Sequence, residues 1–232
     1  MLKHVQAFFR VHRQIIVVSA LGLSSALSVG LFVIRAVRTH NLMHGFLLWN
    51  LFLAWLPMWC ALAAYNLHKR QSRINWPLVL AFAALWLLFM PNAPYLVTDI
   101  VNLRNGRDFL FWYDLVMFSS FIWTGVFLGL TSLFLMQEIV RKTAGRLVSW
   151  LFAFGVLGLS SFGIYLGRFL RWNSWDIFSN PAPLLADIAA TMRHPAANAE
   201  AYIFSVIFTI FILSTYLMLM AMMNLRQDIV EG

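Results

Sequence analysis

A chain of 232 residues that is 61 % hydrophobic and only 11 % charged, with a mean hydropathy of +0.75, is too apolar for an ordinary soluble domain. Its formal charge of +8 is scattered through short stretches between apolar runs. That pattern excludes a nucleic-acid footprint, predicts no nucleic-acid partner and fits a polytopic protein whose partner is the lipid bilayer. The one cysteine, Cys60, lies inside an apolar run, supports neither a disulfide nor a Cys-based metal site, and reads as helix packing.

Residues 1–14 are a basic lead-in with Lys3, Arg10 and Arg13. The first apolar run, residues 15–34, has the length of a spanning helix and is long for a signal-peptide core. Arg35, Arg38, His40 and His44 are assigned to the first loop. The i,i+4 spacing of the two histidines can suit a metal, but they read as interfacial loop residues. The second span covers residues 45–67, with Pro57 near its middle as a kink. A basic loop follows over residues 68–73; Asn75 is placed to cap the third span and Trp76 to sit at the interface.

The third span is short. Its apolar run, residues 76–90, covers roughly 22 Å at about 1.5 Å per residue, against a hydrocarbon core of about 30 Å. It runs into Pro91-Asn92-Ala93-Pro94-Tyr95-Leu96-Val97-Thr98-Asp99. Pro91 cannot donate to the Leu87 carbonyl, nor Pro94 to that of Met90, and each disfavours α geometry in the residue before it. A break at residues 90–94 is therefore expected, with Asn92 placed to satisfy the freed groups. Irregular backbone at this depth requires cover from protein or a watery cavity. If the helix resumes over residues 96–102, Tyr95 and Asp99 share a face. The stretch reads either as a structural helix stop or as part of a site.

The fourth span, residues 111–136, opens with Trp112-Tyr113-Asp114 and carries Gly125 and Gly129. After a loop with Glu138, Arg141, Lys142 and Arg146, the fifth span, residues 147–170, carries Gly163 and Gly167. The small-xxx-small spacing predicts close packing of these two spans. Beyond Gly167-Arg168-Phe169-Leu170-Arg171-Trp172-Asn173-Ser174-Trp175-Asp176, the residues Leu184, Leu185, Ile188, Ala189 and Met192 fall at helical spacing. They predict a short helix on the membrane surface, started by Asn180-Pro181 and stopped before Pro195. The sixth span is residues 202–225. The expected fold class is thus all-α: one membrane domain over residues 1–232 with six transmembrane helices, the third broken, and an interfacial helix between the fifth and sixth.

With six spans, the side holding both termini carries 10 Lys and Arg against 7 on the other. Both termini are therefore expected in the cytoplasm, and residues 91–99 and 167–176 outside. Asp99, Asp114 and Arg168 then lie at one depth near the outer interface, where ionisable groups are costly unless paired or wet. Arg171 falls about one turn beyond Arg168, and an Asp–Arg contact can be bidentate. The candidate substrate-binding residues are Asn92, Tyr95, Asp99, Asp114, Arg168, Arg171, Asn173 and Asp176, closing the outer ends of helices three, four and five. Three functions are open: a site for an anionic lipid or lipid-linked head group, held by the arginines and oriented or turned over by the carboxylates; a non-enzymatic scaffold in which the charges clamp helices; or a transporter of small solutes or ions, which broken helices favour. No span carries a charge in its middle. No cofactor and no metal site is assigned, Ser160-Ser161 lacks the setting of a hydrolase elbow, and protein partners are left open.

The ordered motifs Pro91-Asn92-Ala93-Pro94-Tyr95…Thr98-Asp99, Trp112-Tyr113-Asp114 and Tyr165-Leu166-Gly167-Arg168-Phe169-Leu170-Arg171-Trp172-Asn173-Ser174-Trp175-Asp176 resemble the domain-of-unknown-function 1361 family of bacterial integral membrane proteins over roughly residues 40–225. The resemblance implies a multi-pass protein of the bacterial inner membrane. It brings no established activity, substrate or catalytic residue.

Overall fold

The fold, a computed structural model, describes residues 2–70, 75–103 and 109–231. Its elements are α1 (Leu2–Thr39), α2 (Phe46–Arg70), α3 (Trp76–Phe89), α4 (Asn92–Tyr95), a 3₁₀ helix (Leu96–Asn102), α5 (Phe109–Phe169), α6 (Asp176–Ser179), α7 (Pro181–Arg193) and α8 (Ala199–Glu231). Among the described residues there is no strand. Five segments are long and apolar enough to cross a membrane: Gln14–Thr39, Phe46–Lys69, Trp76–Asn102, Phe109–Phe169 and Ala199–Met223. The fourth is 61 residues long and is interrupted at Gly145, whose φ of 89° and ψ of 175° lie outside the helical region. That conformation suits glycine.

The core gathers where α2, α3 and α5 meet, with α1 and α8 packed on α5. Trp86, Phe118, Phe121, Leu96 and Leu128 are fully buried there. The outer faces are as apolar as the core: Leu23, Leu80 and Ile207 are 73 %, 62 % and 63 % exposed. Apolar surface on this scale needs lipid against it. With lipid no more polar than leucine, the hydrophobic effect does little to hold one helix to another, and polar pins and close contact take over. Ser24 Oγ meets Thr124 Oγ1 at 2.6 Å, and the indole N–H of Trp55 donates to Ser25 Oγ at 3.0 Å. Trp86 Nε1 donates to Ser132 Oγ at 3.1 Å, and Tyr113 Oη to the Leu31 carbonyl at 2.8 Å.

Asn75 caps α3, its Oδ1 accepting from Leu78 N at 3.3 Å. At the proline stretch the ladder changes while the backbone stays right-handed: Met90 (φ −53°, ψ −40°) and Pro91 (φ −60°, ψ −29°) both remain helical. The expected departure of Met90 from α geometry does not occur. The Met90 carbonyl, freed by Pro94, accepts from Ala93 N at 3.3 Å, and Asn92 Nδ2 reaches back to the neighbouring Phe89 O at 3.1 Å. From Leu96 the turn tightens to 3₁₀.

The small pairs also behave differently from expectation. A Cβ on Gly125 would strike Leu96 Cδ1 and sit 2.6 Å from Ala93 O; one on Gly129 would lie 3.1 Å from Ala93 Cβ. On the other arm of α5, a Cβ on Gly163 would lie 2.8 Å from Pro91 Cγ, and one on Gly167 3.3 Å from Tyr95 Cε2. Both pairs thus close on residues 91–96 rather than on each other. Removing the side chain lets the bulky proline segment sit between the two arms of α5.

Candidate functional site

The residues read as one polar layer separate into three groups. The first is built around Asp114, near the start of α5. Its two oxygens accept from Arg35 Nε and Nη2 at 2.9 and 3.0 Å, a bidentate pair in which both side chains are at most 5 % exposed. Arg35 belongs to α1, not to the loop after it: the helix continues to Thr39, whose hydroxyl accepts from Arg35 Nη1 at 3.2 Å. His44 Nε2 lies 3.6 Å from Asp114 Oδ2, and its ring stands edge-on to Phe118 at 5.1 Å. His44 lies in the turn between α1 and α2, as expected of a loop residue, but is buried there. A buried carboxylate at this level is satisfied by a fork of matching geometry.

The second group is built around Asp99, in the 3₁₀ helix and 1 % exposed. Its Oδ2 accepts from Asn50 Nδ2 at 2.7 Å, and its Oδ1 faces Arg168 Nη1 at 3.4 Å. The expected Asp–Arg pairing is present here in single, long form, and Arg168 is 22 % exposed. Asn50, alone in the apolar stretch before Pro57, is the member that hydropathy reading passed over. A lone amide within a span is the signal that points to it.

The third group is the turn after α5. The helix ends at Phe169, so Arg171 does not continue the face of Arg168: it takes a left-handed φ of 61° and is exposed. Trp172 N donates back to Leu166 O at 3.1 Å across Arg171, which stands in the left-handed conformation that glycine usually takes after a helix. Asp176 turns into its own loop, accepting from Asn173 N at 2.7 Å, Asn173 Nδ2 at 3.2 Å and Ser179 Oγ at 3.1 Å. The Asn173 amide holds the Asp176 carboxyl below the usual aspartate range, against the burial that raises it, with Ser179 and the Asn173 side chain adding to the depression. Indole Nε1 of Trp172 donates to Asp187 Oδ2 at 2.9 Å and ties this turn to α7.

Between the second and third groups lies a cavity of about 300 Å³. Asn50 and Trp49 of α2, Asn92 and Tyr95 of α4, and Trp172, Asn173, Ser174 and Trp175 of the turn supply its polar and aromatic walls. Gly163 and Gly167 line it from α5, and Leu53, Leu87, Leu184 and Ile188 give it apolar sides. Asn92 Nδ2 crosses to Ser174 Oγ at 2.9 Å and joins two walls. Of the eight predicted residues the cavity gathers Asn92, Tyr95 and Asn173; Asp99 adjoins through Asn50, and Asp176 through Asn173. Arg168 touches the site through Asp99. Asp114 bonds to α1 instead, and neither it nor Arg171 lines the cavity. The predicted α7 forms over Pro181–Arg193, with Leu184 and Ile188 turned to the cavity while Leu185 and Met192 stay exposed.

No curated protein and no solved structure matches the chain. A family model, described as a protein of unknown function (DUF1361), matches residues 49–215. That stretch contains the cavity, both aspartates and Arg168, while Arg35 and His44 precede it. Matched over more than half its length and carrying five apolar segments of membrane-crossing size, this multi-pass membrane protein belongs to the DUF1361 family.

Proposed function

We propose that this protein binds the polar head of an anionic amphiphile in the cavity between α2, α4 and the turn after α5, on the outer side of the bacterial inner membrane. The observation that carries the reading is the composition of that cavity, amide, hydroxyl and indole groups together with leucines and isoleucines. Pockets that hold amphiphiles need both in one space. Arg168, with a single long contact to Asp99 and a side chain 22 % exposed, does not line the cavity but supplies positive charge behind Asp99 and Asn50. Tyr95, Asn92 and Asn173 line the cavity, Asp99 orients the arginine, and Arg171 and Asp176 belong to the turn that closes it. In this reading Asp114 is a structural clamp.

The placement rests on six crossings. Phe109–Phe169 would extend about 90 Å as one straight helix, three times the hydrocarbon thickness, and leaves helical geometry at Gly145, which supports two crossings there. Trp76–Asn102 then makes one crossing whose last turns are 3₁₀. The basic excess beside the termini supports a cytoplasmic N- and C-terminus. The exposed Leu185 and Met192 support α7 lying on the membrane surface. In a Cys60→Ala background, His194→Cys, exposed at the polar end of α7, should react with an impermeant maleimide on intact cells. Labelling only after permeabilisation would reverse the orientation.

Native mass spectrometry in mild detergent tests the binding itself. Wild type should carry a defined anionic lipid, and Arg168→Gln should lose it with only a modest drop in melting temperature. An empty wild type, or a variant that keeps the lipid, would sink the proposal. An empty wild type with a variant that melts far lower makes Arg168 a clamp, and the protein a scaffold.

A further inference from the structure

We infer that the head group held in this cavity carries a sugar ring, so that the ligand class is a glycosylated lipid whose anionic linkage lies toward Arg168. The inference rests on the reading of the cavity as a head-group site, and it comes from what the lining groups have left to offer. None of the lining residues is charged. Three of them are asparagines whose side-chain nitrogens are drawn into the fold: Asn50 gives one N–H to the Asp99 carboxylate, Asn173 one to the Asp176 carboxylate, and Asn92 both, to the Phe89 carbonyl and Ser174 Oγ. Carboxylates and carbonyls only accept, so these bonds fix which end of each amide is the N–H. The three amide oxygens are left as acceptors on residues that line the cavity.

Acceptor oxygens suit hydroxyl donors. A bare phosphate, all acceptors, would find no cation among the lining residues. It would have use only for the donors: the Tyr95 and Ser174 hydroxyls, the Trp49 and Trp175 indoles and the second N–H of Asn50 and of Asn173. Sugar hydroxyls use donors and acceptors alike. A sugar ring brings several hydroxyls together with C–H faces that pack on aromatic rings. Those rings are present at the same place: Trp49 and Trp175, from α2 and the turn, stand edge-to-face at 6.3 Å, with Trp172 and Tyr95 on the other walls. Trp172 has already given its N–H to Asp187, so its remaining offer to a ligand is its ring. Trp49 is 53 % exposed and Trp175 39 %, so neither is held by the core and both have ring surface to give.

The test uses the full chain in phosphatidylcholine nanodiscs, offered three probes: polyprenyl phosphate, the same phosphate esterified to glucose or to N-acetylglucosamine, and monoglucosyl diacylglycerol. Retention is read by native mass spectrometry on wild type, Trp49→Ala, Trp175→Ala and Arg168→Gln. A glycosylated phosphate should be retained about tenfold more strongly than the bare phosphate, and either tryptophan variant should remove that advantage. Both tryptophans are exposed enough for these variants to fold. Equal retention of bare and glycosylated phosphate, lost together in Arg168→Gln, overturns the sugar and leaves the head-group site standing. Retention of the neutral glucolipid alone keeps the sugar and removes the charge role of Arg168. Retention of none of the probes overturns both.

Discussion

Asp99 and Asp114 are both aspartates with almost no exposure, 1 % and 4 %, and each faces an arginine from another helix. Their surroundings part from there. Asp114 meets Arg35 with both oxygens, and the arginine is as buried as the acid. Asp99 divides its oxygens between an amide and one long arginine contact, and Arg168 is open on one side. The first pair is saturated within the bundle, between α1 and the start of α5. The second is unsaturated on the cation side, beside a cavity. The same two residue types thus make a clamp in one place and leave capacity for a ligand in the other, and geometry rather than composition decides which.

The largest effect should come from breaking the saturated pair. Arg35→Leu or Asp114→Leu leaves a buried charge without its partner and should cost about 3–5 kcal/mol, read as a shift in the unfolding midpoint in detergent. The double leucine variant should recover most of the loss; if it does not, Asp114 does more than clamp. Next in size is the backing of the Asp99 segment. Gly125→Ala drives a methyl into Leu96 and the Ala93 carbonyl and should cost about 1–3 kcal/mol, whereas Gly155→Ala, with open space at its Cβ, should stay within about 0.5 kcal/mol.

Arg168→Gln should cost only about 1 kcal/mol in the lipid-free protein, because its partner keeps the Asn50 bond and the arginine is partly screened. A loss equal to that of Arg35→Leu would erase the contrast between the pairs. The smallest effect is pH-dependent. Asp176 is held below its ordinary range by the Asn173 amide, so it favours the folded turn above the unfolded aspartate pKa, and that contribution fades as pH falls through the folded value. Hydrogen exchange at Asn173 N should therefore quicken, relative to its intrinsic rate, on going from neutral to strongly acidic pH. In Asp176→Asn that relative change should be absent.

Much of this arrangement was legible in the sequence where one local rule applied. Asn75 as a cap, the helix over Pro181–Arg193 and the partnership of Asp99 with Arg168 all follow from capping, spacing and the cost of lone charges. Arg35 was misassigned because hydropathy marks where apolar residues stop, and α1 continues past that point. His44 does lie in the turn between α1 and α2, as expected, but its burial depends on helices far away in sequence. Arg171 failed differently: its spacing from Arg168 implied a shared face, but the chain leaves the helix at that residue through a left-handed turn that side chains rarely adopt. Gly125, Gly129, Gly163 and Gly167 announced close packing, but nothing in their own spacing named the proline segment as the partner.

Those four glycines also fix one wall of the cavity in place. The wall carrying Asn92 and Tyr95 is wedged between the two arms of α5 at distances that leave no slack, so it is a fixed jamb. The facing side hangs on a few polar links: Trp172 to Asp187, Asn92 to Ser174, and Tyr202 Oη to the Thr191 carbonyl at 3.2 Å. On the proposed reading, the give needed for a head group to enter lies with α7 and the turn before it, against the burial of Leu184 and Thr191. A bulky head group would then exchange at the rate of that movement, with Trp49 on the side that stays and Trp175 on the side that moves.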